Sequence, residues 1–213
     1  MAVQNQMLKQ FDYDWAYSSR VSILFGIFAV VAAVGWMVSL MLTAIHLFAI
    51  PAIPAGSDAL TQGSIAVITS PWAYVLGIPL ATFGAIYYLV TVGLTLWWFD
   101  TRHPLIVKIL TPMTASGVLF SAYFVYLQLG VIGEICPFCM VSASATVILF
   151  GLELGILRLS DTPSLSEMIA DFGGVVAETN YAVVAIPVLV GALTVAGLFV
   201  IPLLPMPDVI PFI

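Results

Sequence analysis

The run "VSILFGIFAVVAAVGWMVSLMLTAIHLFAI", Val21 to Ile50, decides the fold class. It contains no Asp, Glu, Lys or Arg. A helix needs about 20 mostly apolar residues to cross the hydrocarbon core of a bilayer. We therefore predict a transmembrane helix here, with length to spare for tilt. The residues before it include Asp12 and Asp14 and do not resemble a cleavable signal peptide, so we expect the helix to remain as an anchor.

Four more apolar runs follow, and they predict an all-α, polytopic membrane protein. The chain of 213 residues is 62% hydrophobic and only 8% charged, whereas about a quarter of the residues of a soluble domain are charged. We expect a four-helix transmembrane bundle within residues 21–158 and a fifth transmembrane helix in residues 182–213, which end in a short outer tail. The four further spans are predicted at Pro79 to Phe99, Leu105 to Ile132, Pro137 to Leu157 and Ala182 to Leu204.

Two polar or broken segments separate these runs. Ser70-Pro71 predicts the start of a short surface helix before the second span, since proline suits the first turn of a helix. Residues 159–181 are too polar to span. Ser164 with Glu167 three residues later forms a capping-box pattern that predicts an interfacial amphipathic helix.

The positive charges orient the chain. Lys9 and Arg20 precede the first span, Arg102 and Lys108 lie at the turn between the second and third, and Arg158 follows the fourth. All five fall on one side, which the positive-inside rule makes the cytoplasm. We expect a multi-pass protein of the plasma (inner) membrane, with residues 1–20 as a cytoplasmic tail and the C-terminus outside. So few cations argue against nucleic acid as a partner.

The two cysteines, Cys136 and Cys139, form the one motif that carries redox chemistry. Pro137 places Cys136 at the N-cap of the fourth span, where free N–H groups and the helix dipole favour a thiolate. The spacing allows a disulfide, and the outer compartment is oxidising. Such a dithiol is placed to pass two electrons to a lipid-soluble quinone. A static disulfide or two buried thiols is the alternative without redox chemistry.

Other uses of the cysteines fit less well. Zinc takes about four ligands, and His46 and His103 belong to opposite faces of the predicted topology. Covalent haem requires a histidine directly after the second cysteine, where Met140 stands.

The segments "GSIAVITSPWAYVLGIPLATFGAIYYL" (Gly63 to Leu89) and "YLQLGVIGEICPFCMVSA" (Tyr126 to Ala143) resemble the vitamin K epoxide reductase family. The resemblance implies a bundle around a quinone, capped by the loop between the first two spans. It implies that Cys139 faces the quinone and that Cys136 exchanges disulfides outward. We expect the quinone site to be bounded by Ser70, Phe83, Tyr87, Tyr126 and Phe138.

The chain departs from the family pattern in three respects. The loop cysteine pair that relays electrons to the CxxC is absent, and Ser64 stands where its second member belongs. A thioredoxin-like domain fused after the fifth helix, common in bacterial members, is also missing. Ala143 stands where the animal enzymes carry a tyrosine, which argues against their epoxide chemistry.

Two functions therefore remain open. The first is a membrane thiol:quinone oxidoreductase that passes electrons from an extracytoplasmic thioredoxin-like partner, through Cys136 and Cys139, to menaquinone or ubiquinone. The second is a catalytically divergent, structural or quinone-binding subunit of a larger respiratory or photosynthetic membrane complex, which the missing relay favours. Glu134 is either a proton shuttle or an ordinary loop carboxylate, and Glu153 is expected to reach the inner surface beside Arg158.

Overall fold

Five helical segments of the computed structural model are long and apolar enough to cross a membrane, as the sequence predicts. The model describes residues 19–160, 176 and 179–200. The predicted fold class is confirmed: the chain is an all-α, multi-pass membrane protein. The long helices are α1 (Ser19–Ala44), α3 (Leu80–Thr101), α4 (Pro104–Tyr126), α5 (Pro137–Leu159) and α6 (Tyr181–Val195). The predicted outer tail and the predicted amphipathic helix after Ser164 lie outside the described residues.

Three of the long helices continue past their α-helical part in a π-helical turn. These turns are Ile45–Ala49 after α1, Leu127–Ile132 after α4 and Ala196–Val200 after α6. A π-turn contains one more residue than an α-turn and therefore rotates the faces of the residues that follow it. The turn after α4 matters most, because it leads directly into the loop that carries Cys136.

Helix α1 lies at the centre of the bundle, packed against α3 and α5, while α4 packs on α5 and α6 on α3. Close contact between α1 and α3 depends on Gly35, since a Cβ atom there would overlap the ring of Tyr88. At the end of the bundle away from Cys136, the ring of Phe25 stacks on Trp98 with centroids 3.9 Å apart. The guanidinium of Arg102 covers that indole at 4.4 Å and donates to Ser22.

The segment between α1 and α3 folds over one end of the bundle, which we call the cysteine end. It contains a 3-10 turn (Asp58–Thr61), the short helix α2 (Gly63–Thr69), a second 3-10 turn (Pro71–Ala73) and an antiparallel pair, β1 (Tyr74–Val75) with β2 (Ile78–Pro79). The surface helix predicted from Ser70-Pro71 is therefore wrong. That pattern yields one 3-10 turn, because Leu76 and Gly77 adopt positive φ angles and reverse the chain.

Glu153 also differs from the prediction. Its side chain is fully buried between α4 and α5, and Oε1 accepts a hydrogen bond of 2.9 Å from the Thr111 hydroxyl. It does not extend to the surface beside Arg158, because a hydrogen-bond donor on the neighbouring helix is available at its own depth. This hydrogen bond links α4 to α5.

Candidate functional site

The loop from α4 to α5 is held in one conformation by Gln128. The π-turn ends at Gly133, which has a φ of 76° and donates its N–H to the Gln128 carbonyl at 2.9 Å. The Gln128 side chain then accepts the N–H of Cys136, also at 2.9 Å. Because α5 begins at Pro137, Cys136 is its N-cap, and the Cys136 sulfur accepts the N–H of Cys139 at 3.3 Å. The predicted N-cap position of Cys136 is confirmed.

The two thiols form a close pair with unequal surroundings. Both are reduced, and their sulfur atoms lie 2.6 Å apart, with Cys139 donating to Cys136. This donation lowers the pKa of Cys136 to about 6. The N–H groups of Cys139 and Phe138 and the hydroxyl of Ser64 act in the same direction, whereas burial opposes them. Cys136 is therefore the more acidic thiol of the pair, as expected of a reactive cysteine.

Helix α2 seals Cys136 from solvent. The side chains of Leu42, Val67 and Ile68 pack around Cys136, whose exposed fraction is 0%. At the start of α2, the N–H of Gly63 donates to Oε2 of Glu134 at 3.0 Å. Reagents and proteins in water therefore reach this sulfur only when α2 moves.

His46 of α1 holds the other end of α2. Its Nε2 lies 2.8 Å from the Ile68 carbonyl oxygen, and its Nδ1 lies 2.8 Å from the carbonyl oxygen of Leu42. The predicted topology places His46 only by membrane face, opposite His103. The structure makes His46 a link between the first span and α2.

A cavity of about 520 Å³ lies beneath α2, inside the bundle, and Cys139 forms part of its wall. Of the residues predicted to bound a quinone, Ser70, Phe83 and Tyr87 line this cavity. Tyr126 and Phe138 do not line it, and their exposed fractions are 63% and 42%. Three of the five predicted residues, one after α2 and two on α3, thus lie around the same cavity as one thiol of α5.

The cavity wall also contains polar residues that the sequence did not single out. Tyr88 donates to the Ser142 carbonyl at 2.6 Å and lies 2.8 Å from the hydroxyl oxygen of Thr146. Other polar members of the wall are His46, Gln128, Ser39, Ser116 and Ser121. The signal for Ser142 and Thr146 was their spacing: they follow Cys139 by three and seven residues and so lie on the same face of α5.

The shape and chemistry of this cavity fit a quinone ring. Small-molecule sites typically enclose about 300–1,000 Å³ and are mostly apolar with a few polar groups. This cavity has that size and that kind of wall, and the Cys139 thiol gives it a group able to deliver electrons. The two thiols are close enough to be oxidised together to a disulfide, and Cys139 is the one that adjoins the cavity.

Comparison with family models matches residues 26–154, more than half of the chain, to the Vitamin K epoxide reductase family. The matched residues run from α1 into α5 and so include α2, the cavity and both cysteines. No curated protein matches the chain.

Proposed function

The chain belongs to the vitamin K epoxide reductase family, and on that premise we propose that it is a membrane thiol:quinone oxidoreductase that uses Cys136 and Cys139. The family supports thiol–disulfide and quinone chemistry in membranes in general terms. The assignment to these residues rests chiefly on one observation. Cys139 lies in the wall of the bundle cavity, and its sulfur is 2.6 Å from that of Cys136.

The proposed reaction starts from a disulfide between the two cysteines. A thiolate of a partner dithiol attacks the sulfur of Cys136, forms a mixed disulfide and releases Cys139 as a thiolate. The second thiol of the partner then attacks the mixed disulfide, so the partner leaves oxidised and Cys136 is reduced. Two electrons and two protons then pass from the dithiol to a bound quinone, which supplies the electron sink, and the disulfide reforms.

The surroundings of Cys136 support this order of events. The hydrogen bond from Cys139 lowers the pKa of Cys136, which makes Cys136 a better leaving group in disulfide exchange. Cys139 faces the cavity, so it is the thiol placed next to the electron acceptor. The division of labour implied by the family resemblance therefore suits the geometry.

Direct access to Cys136 is required in this chain. The sequence contains two cysteines, so no loop thiol can carry electrons over α2. Since Cys136 is fully buried, a partner can react with its sulfur only after α2 has opened. We propose that this partner is a thioredoxin-like protein and that menaquinone or ubiquinone is the acceptor. The positive charges support a cysteine end on the outer side of the plasma (inner) membrane, where thiols are oxidised.

The same burial favours a second candidate function. A sealed Cys136 without relay cysteines suits a bundle that binds quinone or stabilises a larger respiratory or photosynthetic complex without turning over. In that case the thiols are structural. The two candidates differ in one measurable property, which is whether quinone oxidises the dithiol.

The deciding experiment is turnover of purified protein in detergent, with dithiothreitol as reductant and a short-chain quinone analogue as acceptor. We expect quinone-dependent turnover, and we expect Cys136→Ser and Cys139→Ser each to lower it by about 100-fold or more, because each removes half of the disulfide. In cells, where an oxidised partner is present, the Cys136 thiolate of Cys139→Ser should attack the partner's disulfide, release one partner thiolate and remain trapped as a mixed disulfide, because no Cys139 thiol is left to displace it. If the wild-type dithiol stays reduced in the presence of quinone, the enzyme is excluded and the structural subunit is favoured.

A further inference from the structure

Glu134 connects the short helix α2 to the loop that carries Cys136. Its Oε2 accepts the N–H of Gly63 at 3.0 Å, and α2 begins at that glycine. The hydroxyl of the next residue, Ser64, lies close enough to Cys136 to lower the pKa of its thiol. One carboxylate therefore determines where the first turn of α2 lies, and with it the hydroxyl that touches the reactive sulfur.

We propose that Glu134 is a positioning residue for Cys136: by accepting the Gly63 N–H it holds Ser64 against the sulfur and keeps α2 closed over it. The proposal deepens the proposed function, in which Cys136 is the exchanging thiol. It concerns the ionisation of that thiol and its exposure to water, and both are measurable without quinone or partner.

The two consequences of the Glu134 contact have different physical origins. A hydroxyl that donates to a sulfur stabilises the thiolate over the neutral thiol, and hydrogen bonds to charged acceptors are about twice as strong as neutral ones. Keeping α2 in place instead limits how often water and reagents reach the sulfur. Removing the contact should therefore make Cys136 less acidic and more accessible at the same time.

The effect of the Glu134 charge on Cys136 must be separated from the effect of its hydrogen bond to Gly63. A carboxylate two residues from Cys136 repels a thiolate, so removing the charge alone favours ionisation. Both Glu134→Gln and Glu134→Ala remove the charge, but only the glutamine keeps an oxygen that accepts the Gly63 N–H. The difference between these two variants isolates the positioning effect.

Other titratable groups near Cys136 are held constant in the test. Cys139 lies on the same helix, and His46 lies on α1 one turn beyond Leu42, which packs against Cys136. Helix α4 contributes Gln128, which does not titrate. All variants are made in a Cys139→Ser background. The serine hydroxyl still offers a hydrogen-bond donor beside Cys136, and Cys136 is then the only thiol that iodoacetamide can alkylate.

The measurement is the rate of Cys136 alkylation by iodoacetamide, followed by intact-protein mass from roughly pH 4 to pH 10. Because the closed form dominates, the half-maximal pH reports ionisation of the closed thiol, and the plateau rate reports how often α2 opens. We expect Glu134→Ala to show a half-maximal pH about 1 higher and a plateau about ten-fold higher than Glu134→Gln. Ser64→Ala should raise the half-maximal pH, and the plateau should rise by the same factor because the closed thiolate loses a contact that the open form lacks. Its rate well below the half-maximal pH should not change, whereas Glu134→Ala should raise that rate as well, because α2 opens more often.

Asp100→Ala is the matched control. The Asp100 carboxylate accepts the N–H of Asn180 at 2.9 Å at the opposite end of the bundle, so its loss should change neither quantity. Identical profiles for Glu134→Ala and Glu134→Gln would overturn the proposal, as would a higher plateau without a change in half-maximal pH. If the alanine variant does not fold, Glu134→Ser replaces it, since that side chain is too short to reach Gly63. Hydrogen exchange across residues 62–69 should rise in the same order as the rates well below the half-maximal pH.

Discussion

At the scale of single residues, Tyr88 shows how the bundle forms one wall of the cavity. Its ring lies against Gly35 of α1, and its hydroxyl bonds to Ser142 and Thr146 of α5. One side chain on α3 thus fixes two neighbouring helices. Because these hydrogen bonds fix the hydroxyl at the far end of the Tyr88 ring, the ring cannot move aside for a larger residue at position 35.

This predicts that Gly35→Ala destabilises the protein by about 1–3 kcal/mol, since the new methyl group overlaps a ring that cannot move. Gly26→Ala is the matched substitution in the same helix, where a Cβ atom meets nothing within 4 Å. It should leave stability unchanged or slightly higher, because alanine favours helix. Thermal unfolding in detergent measures both. Equal midpoints for the two variants would show that α1 and α3 are not packed this tightly.

The same scale shows why part of the site could be predicted and part could not. Cys136 and Cys139 are identified by chemistry and spacing alone, and Phe83 and Tyr87 by helical periodicity. Tyr126 was expected to face the cavity, but Ser121, Phe124 and Gln128 line it at ordinary helical spacing, and Tyr126 lies on the exposed side of the same helix. Apolar residues occur on every side of α4, so sequence periodicity does not show which face turns inward.

At the scale of elements, α2 is the feature least visible in the sequence. Its seven residues include β-branched Ile65, Val67, Ile68 and Thr69, which disfavour helix, and so short a helix is unstable alone. Contacts with Leu42, Cys136, Glu134 and His46 hold it in place. The five spans can be identified from the sequence without such contacts, because a segment that crosses the bilayer must be long, apolar and helical.

Helix α2 places Ser64 where a thiol would meet Cys136. We therefore predict that the double variant Ser64→Cys, Cys139→Ser forms a disulfide between positions 64 and 136 under mild oxidation, because the Ser64 hydroxyl lies close enough to Cys136 to lower the pKa of its thiol. Peptide mapping by mass spectrometry detects the bond. Ser57→Cys in the same Cys139→Ser background, placed before the 3-10 turn, serves as the control and should not cross-link to Cys136. Equal yields in the two variants would contradict the observed position of α2.

At the scale of the whole molecule, all five Lys and Arg residues sort to one side of five spans. We predict that the cysteine end faces the extracytoplasmic side and that the α3–α4 turn faces the cytoplasm. In a background where both native cysteines are replaced by serine, a cysteine at position 60 should react with a membrane-impermeant maleimide added to intact cells. A cysteine at position 101 should react only after lysis. The reverse pattern would place Cys136 in a reducing compartment and remove the basis for redox turnover.

The burial of Cys136 has a consequence for the lifetime of the molecule. The thiolate of a low-pKa cysteine is oxidised by peroxide to sulfenic and then to sulfinic acid, and the second step is generally irreversible. With 0% of Cys136 exposed, small oxidants reach the sulfur only when the structure around it opens. The chain lacks a second cysteine pair to serve as a replaceable outer contact. Helix α2 therefore protects Cys136 from irreversible oxidation. In a variant whose α2 opens more often, the Cys136 thiol should be oxidised faster in air.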